Sequence, residues 1–243
     1  MIQVENLKKS FEGQAILKGI DLSVNNNETM VILGPSGQGK TVFIKALIRL
    51  LEPDSGRILY DGKDLIAFNK GELYQFRKQI AFVFQNSALF DFLDVCENLS
   101  LFLRMHKKMH PRQIEPIIRE SLQFVGLGDD VLRKFPEELS GGMRKRVAIA
   151  RALVKQPKYV FYDEPTTGLD KTNAEKVSEL ILMLKEKISA TSVVVTHDIS
   201  LMRTVSDRVA LLKDGKIGFV GPREEITRET LDMLYSEGEV NGL

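Results

Sequence analysis

Short apolar runs recur along the chain, at Ile2 to Leu7, Thr29 to Leu33, Arg57 to Tyr60, Ile80 to Phe84, Tyr159 to Tyr162, Ser192 to Thr196 and Arg208 to Lys213. Several are apolar at nearly every position, as strands buried on both faces must be. Between them lie stretches of helical periodicity, notably Thr41 to Leu51, Met143 to Lys155 and Lys171 to Ser189. Strands alternating with helices predict an α/β fold with a mainly parallel sheet core. Asp61-Gly62 and Asp214-Gly215 each separate two strand-like runs, which predicts β-hairpins at an antiparallel β edge of that sheet. From Asp94 to Phe135 the alternation stops and the sequence reads as helix after helix, a helical insertion punctuated by Pro111 and by Gly126 to Asp130. No internal repeat, low-complexity tract or long linker divides the chain.

Composition narrows the classes. The 243 residues are 43% hydrophobic and 28% charged, too apolar for a disordered chain and long enough for a sizeable core. The formal net charge of +1, with both signs interspersed, gives no nucleic-acid footprint. Cys96 is the only cysteine, which excludes an internal disulfide framework and a cysteine-rich zinc site and fits a reducing compartment. Met1 to Ser10 lack the apolar run of a signal peptide. Apolar stretches such as Met30 to Leu33 and Val209 to Leu212 fall far short of the ~20 residues of a membrane-spanning helix. The expected location is therefore cytoplasmic, and work at a membrane requires another chain to hold this one there.

Three motifs carry chemistry. Gly34-Pro35-Ser36-Gly37-Gln38-Gly39-Lys40-Thr41 follows an expected strand and opens an expected helix, the context of a phosphate-binding loop. Its glycines let backbone amides turn toward phosphate oxygens, Lys40 reaches the β and γ phosphates, and the Thr41 hydroxyl holds Mg²⁺. Tyr159 to Glu164 is an apolar strand ending in two carboxylates. Alone that is more often a solvated strand end; beside a phosphate loop, Asp163 suits an outer-sphere role on Mg²⁺ and Glu164 can orient and deprotonate an attacking water. Leu139-Ser140-Gly141-Gly142-Met143 precedes a long helix, either as an N-cap with a flexible turn or as a second anion site.

The phosphate loop, the Leu139 to Met143 signature, Asp163-Glu164 and His197 stand in the order and spacing of an ABC-type ATPase, and the resemblance covers essentially the whole chain. It implies a P-loop NTPase of ABC type: one ATPase domain over residues 1–243, with a RecA-like core at 1–85 and 146–243 and a helical subdomain at about 86–145. It also implies further site residues. Phe11 resembles the aromatic that stacks on adenine, with a core phenylalanine as the competing reading. Gln85 resembles the glutamine that senses Mg²⁺ and the attacking water. Asp170, in Gly168-Leu169-Asp170, resembles the loop that crosses the dimer interface, and His197 the histidine that contacts the γ-phosphate. In this family the signature of one subunit completes the ATP site of another, so the implied partners are a second copy of the chain and an integral membrane permease. His106 and His110, at helical spacing, read as a solvated face rather than a metal site.

Two details narrow the resemblance. Met143 stands where the signature usually has glutamine, and the apolar segment Ala88-Leu89-Phe90-Asp91 precedes Val95-Cys96-Glu97-Asn98-Leu99. Together these resemble the ATPase of Mla-type and other MCE-associated transporters, which move phospholipids or other lipids. That implies lipid transport between bacterial membranes, peripheral attachment to the cytoplasmic face of the inner membrane, and an MCE-type lipid-binding partner. The alternatives are the ATPase of a small polar solute importer and a soluble, non-transport ABC ATPase.

Overall fold

A computed structural model of the chain describes residues 1–232. The elements in order are β1 (Ile2–Phe11), β2 (Gln14–Val24), β3 (Thr29–Leu33), α1 (Lys40–Leu47), β4 (Ser55–Tyr60), β5 (Lys63–Asp64), α2 (Lys70–Lys78) and β6 (Ile80–Val83). They continue with α3 (Val95–Phe102), α4 (Pro111–Phe124), α5 (Gly141–Lys155), β7 (Tyr159–Asp163), α6 (Lys171–Ile188), β8 (Thr191–Thr196), α7 (Ile199–Val205), β9 (Arg208–Lys213), β10 (Lys216–Pro222) and α8 (Arg228–Asp232).

The strands form two sheets, one of six strands in the order β10-β9-β3-β8-β7-β6 and one of four in the order β2-β1-β4-β5. In the larger sheet every pairing is parallel except β9 with β10. The Asp214-Gly215 hairpin therefore sits at the expected antiparallel edge. The Asp61-Gly62 hairpin does not: β4 and β5 belong to the smaller, wholly antiparallel sheet. A hairpin signal is local and cannot say which sheet the pair joins.

Strand β3 explains the layering. All five of its residues are buried, and its alternate side chains enter different cores. Met30 and Ile32 pack with Phe43 and Ile44 of α1 and with Ile2, Leu7 and Ile20 of the small sheet. Val31 and Leu33 pack on the opposite face with Val147 of α5, Ile181 of α6 and Leu201 of α7, and that core runs on to Val95 and Leu99 of α3 and Ile114 and Ile118 of α4. The helical insertion thus shares its core with the parallel sheet.

Element starts follow capping chemistry. Asp94 and Asn69 form capping boxes at α3 and α2, and Asp170 caps α6 through the Asn173 amide. Ser140 caps α5, which therefore begins two residues before the expected Met143. Helix α1 stops at Leu47, four residues short of expectation, and Arg49 just beyond it is left-handed at φ 52°.

Candidate functional site

The parallel register brings the ends of four strands to one edge of the sheet. Leu33 pairs with Thr196, and Asp163 with Val195, so the phosphate loop, Asp163-Glu164 and His197 leave the sheet side by side. Gln85 follows β6 at the same edge. Sites in parallel α/β sheets form at these carboxyl ends.

The loop between β3 and α1 is shaped by its glycines. A Cβ on Gly34 would lie 2.4 Å from the Leu212 carbonyl oxygen, and Gly39 caps α1 in the left-handed region at φ 91°. Lys40, at the first position of the helix, turns back over the loop: its Nζ donates to the carbonyls of Gly34 at 2.7 Å and Pro35 at 2.9 Å. The Gln38 side chain accepts from the Asp214 amide at 2.6 Å, tying the loop to the β9–β10 hairpin.

Glu164 is buried and left-handed at φ 47°. Its carboxylate pairs with Lys40 Nζ at 3.2 Å through one oxygen; through the other it lies 2.9 Å from His197 Nδ1 and accepts from the Thr167 and Thr196 hydroxyls. Beside it Asp163 accepts from the Thr41 hydroxyl at 2.9 Å, and burial raises the Asp163 carboxyl above the usual carboxylate range. A cavity of about 430 Å³ is lined by Phe11, Ser36, Gly37, Gly39, Lys40, Thr41, Gln85, Glu164 and His197, among others. Phe11 is 43% exposed, which removes the competing reading of a core phenylalanine. Asp54 fixes the end of its strand by accepting from the Ser10 amide and from Lys9.

None of the signature residues lines this cavity. Ser140 and Gly141 are exposed, and the two signature glycines stand against Leu169 and Asn173, beside the Asp170 cap of α6. Phosphate loop and signature are therefore separate surfaces of one chain. Sequence reasoning missed Thr167, Thr196 and Lys145. Thr167 closely follows Asp163-Glu164. Lys145 interrupts an apolar stripe at 148, 149 and 152, a helical spacing that marks it as buried; its ammonium is pushed down to about 8 by that burial. The two remaining histidines have other partners, His106 the Tyr74 hydroxyl and His110 the Arg112 amide, which it caps.

A second, apolar cavity of about 540 Å³ lies between α2, β6, α3 and α5, where Leu50, Phe82, Phe84, Phe90, Phe102 and Met105 line it. Phe90 and Phe92 are exposed, whereas Leu89 packs against the core. The segment is thus divided by residue between core packing and exposure. Asn98 holds the segment by donating to the carbonyls of Phe90, Leu93 and Asp94.

A glycine-built loop at a strand end, a lysine over it and adjacent carboxylates on the next strand but one define a P-loop nucleotide-binding protein. Residues 17–167 match the family model described as ABC transporter. The chain is 44% identical over 223 residues to the probable ribonucleotide transport ATP-binding protein mkl of Mycobacterium leprae, covering 92% of this chain and 64% of that protein. It is 40% identical to the L-cystine import ATP-binding protein TcyN of Bacillus subtilis, covering 95% of this chain and 89% of that one. Among solved structures it resembles the dimeric post-hydrolysis ATP-binding cassette MJ0796 bound to ADP and Pi, with a TM-score of 0.84, 32% identity, and coverage of 93% of this chain and 100% of that one. The chain belongs to the ABC transporter family, as an ABC-type ATP-binding domain.

Proposed function

We propose that the chain hydrolyses ATP to drive the transport of a lipid through a separate membrane permease. The observation that carries the hydrolytic half is the Glu164 carboxylate, buried between Lys40 and His197 on the wall of the cavity that also holds Thr41 and Gln85. ATP enters with its adenine on Phe11 and its phosphates over the loop, where Lys40 and the backbone amides meet their charge. Glu164 orients and deprotonates the attacking water, and His197 holds the γ-phosphate end of the site. Thr41, Gln85 and Asp163 are hard oxygen donors suited to Mg²⁺, and a cation there would offset the burial that disfavours the Asp163 carboxylate. When bound, that ion supplies neutralisation of phosphate charge. The relative MJ0796, which is dimeric with ADP and Pi, supports this reading.

The RecA-like core at 1–85 and 146–243, of which 233–243 lie outside the described residues, and the helical subdomain at about 86–145 act as the two moving parts. The apolar cavity beside the exposed Phe90 receives the permease, its lining offering an apolar surface at the start of the helical insertion. Lipid as cargo rests on Met143 in the signature and on the 88–99 segment, which together resemble the MCE-associated branch. A second reading, a polar-solute importer, is favoured by the names of relatives that import L-cystine in Bacillus subtilis and spermidine/putrescine in Haemophilus influenzae.

Glu164→Gln should lower ATP turnover at least about 10²-fold, the scale of a lost general base, while ATP binding persists. Near-normal turnover would remove Glu164 from the mechanism. Extraction of the native complex in mild detergent should yield a multispanning permease, an MCE-type partner and bound lipid; a permease with neither leaves the polar-solute reading.

A further inference from the structure

Lys145 lies on α5, 5% exposed, in a row with Ala148, Ile149 and Ala152. A buried ammonium is costly unless its charge is met. Its hydrogen-bond partners here are main-chain carbonyls: Nζ donates to the Gln85 carbonyl at 2.5 Å and to the Glu164 carbonyl at 3.3 Å. Gln85 lies where β6 leaves for the helical insertion, and Glu164 directly follows β7. Both side chains line the phosphate-loop cavity.

We propose that Lys145 is a positioning residue for hydrolysis, tying the peptides that carry Gln85 and Glu164 to the helix that begins at the signature. The inference rests on the hydrolytic reading of Glu164. A carbonyl oxygen has no rotamer of its own, so a group bonded to it constrains the peptide and the direction of the attached side chain. That constraint matters most at Glu164, whose left-handed backbone at φ 47° is otherwise disfavoured and whose amide is already given to Val195. Ser140, the cap of α5, stands five residues before Lys145, about 7.5 Å along the helix axis. A ligand engaging the signature therefore acts on a stiff rod whose second turn grips both residues at the hydrolytic end of the site. Hydrolysis is thereby made to depend on where the signature helix sits.

The test compares Lys145→Met, which keeps an unbranched stem and removes the donor, with Lys145→Gln, which keeps a donor without the charge, in the full chain with MgATP. Lys145→Met is expected to lower kcat about 10- to 100-fold, the scale of a displacement of about 1 Å at a reacting centre, with KM and nucleotide binding little changed. Lys145→Gln is expected to recover most of that loss. Thermal melting is followed in parallel. A Lys145→Met protein that melts as wild type and turns over at the wild-type rate overturns the proposal, as does a Lys145→Gln protein that melts as wild type yet turns over no faster than Lys145→Met. If Lys145→Met does not fold, Lys145→Gln alone decides: wild-type melting with kcat near wild type supports the tie, and wild-type melting with a 10-fold or greater loss of kcat overturns it. Glu164→Gln run alongside separates the two readings, because normal turnover there would fail the hydrolytic assignment whatever Lys145 does.

Discussion

Every polar atom of Glu164 has an assigned partner: its amide donates to Val195, its carbonyl accepts from Lys145, and its carboxylate meets Lys40, His197, Thr167 and Thr196. A buried group so completely satisfied is held in one orientation, which suits a side chain that must address a single water. Lys40 is the other half of this arrangement. Lys40→Ala is expected to weaken ATP binding about 10- to 100-fold, since hydrogen bonds to charged groups contribute about 1.5–3 kcal/mol. Titration with a fluorescent ATP analogue measures it, and unchanged affinity would count against the phosphate cradle. Lys40, Thr41, Asp163 and Glu164 were legible in the sequence because each motif is a short, fixed spacing at a strand end. Lys145 and Thr196 were not, because their relation to Glu164 exists only after distant segments meet.

Elements whose apolar pattern was uniform were read well. Strand β9 runs from Arg208 to Lys213 as expected, and β3, β7 and β8 agree to within one residue. Strand β2 escaped because Gly19, at φ 88°, and the register shifts against β1 break its alternation. Helix α2 buries only Phe76 and so presents no apolar stripe, whereas α7 buries Ile199, Leu201, Met202 and Val205 but at seven residues is too short to show a helical period. At the apolar cavity, the useful distinction is between Leu89, which faces the core, and Phe90 and Phe92, which face out. Phe90→Asp with Phe92→Asp is expected to abolish copurification with the permease while ATP binding and the melting temperature hold. A folded double variant that still copurifies would show that the permease docks elsewhere.

Across the whole molecule, one edge of the parallel sheet gathers the phosphate loop, Glu164, Gln85 and His197, while Ser140 to Met143 stand apart against the α6 cap. If the signature is the second half of an ATP site, as the proposed function requires, one chain holds both halves without joining them, and closure requires a second copy. In that reading, Met143 in place of glutamine leaves the Ser140 hydroxyl and the α5 amides as the signature's polar groups toward that copy's nucleotide. In the proposed function each pair of chains encloses two ATP molecules, and hydrolysis reopens the pair to move the permease. The most direct measurement is the mass of the Glu164→Gln chain by light scattering, with and without ATP, alone and combined with Ser140→Arg. The expected result is one chain without ATP, two with it, and one again when Ser140→Arg is present; an ATP-dependent dimer of equal strength carrying Ser140→Arg would contradict a site shared between phosphate loop and signature.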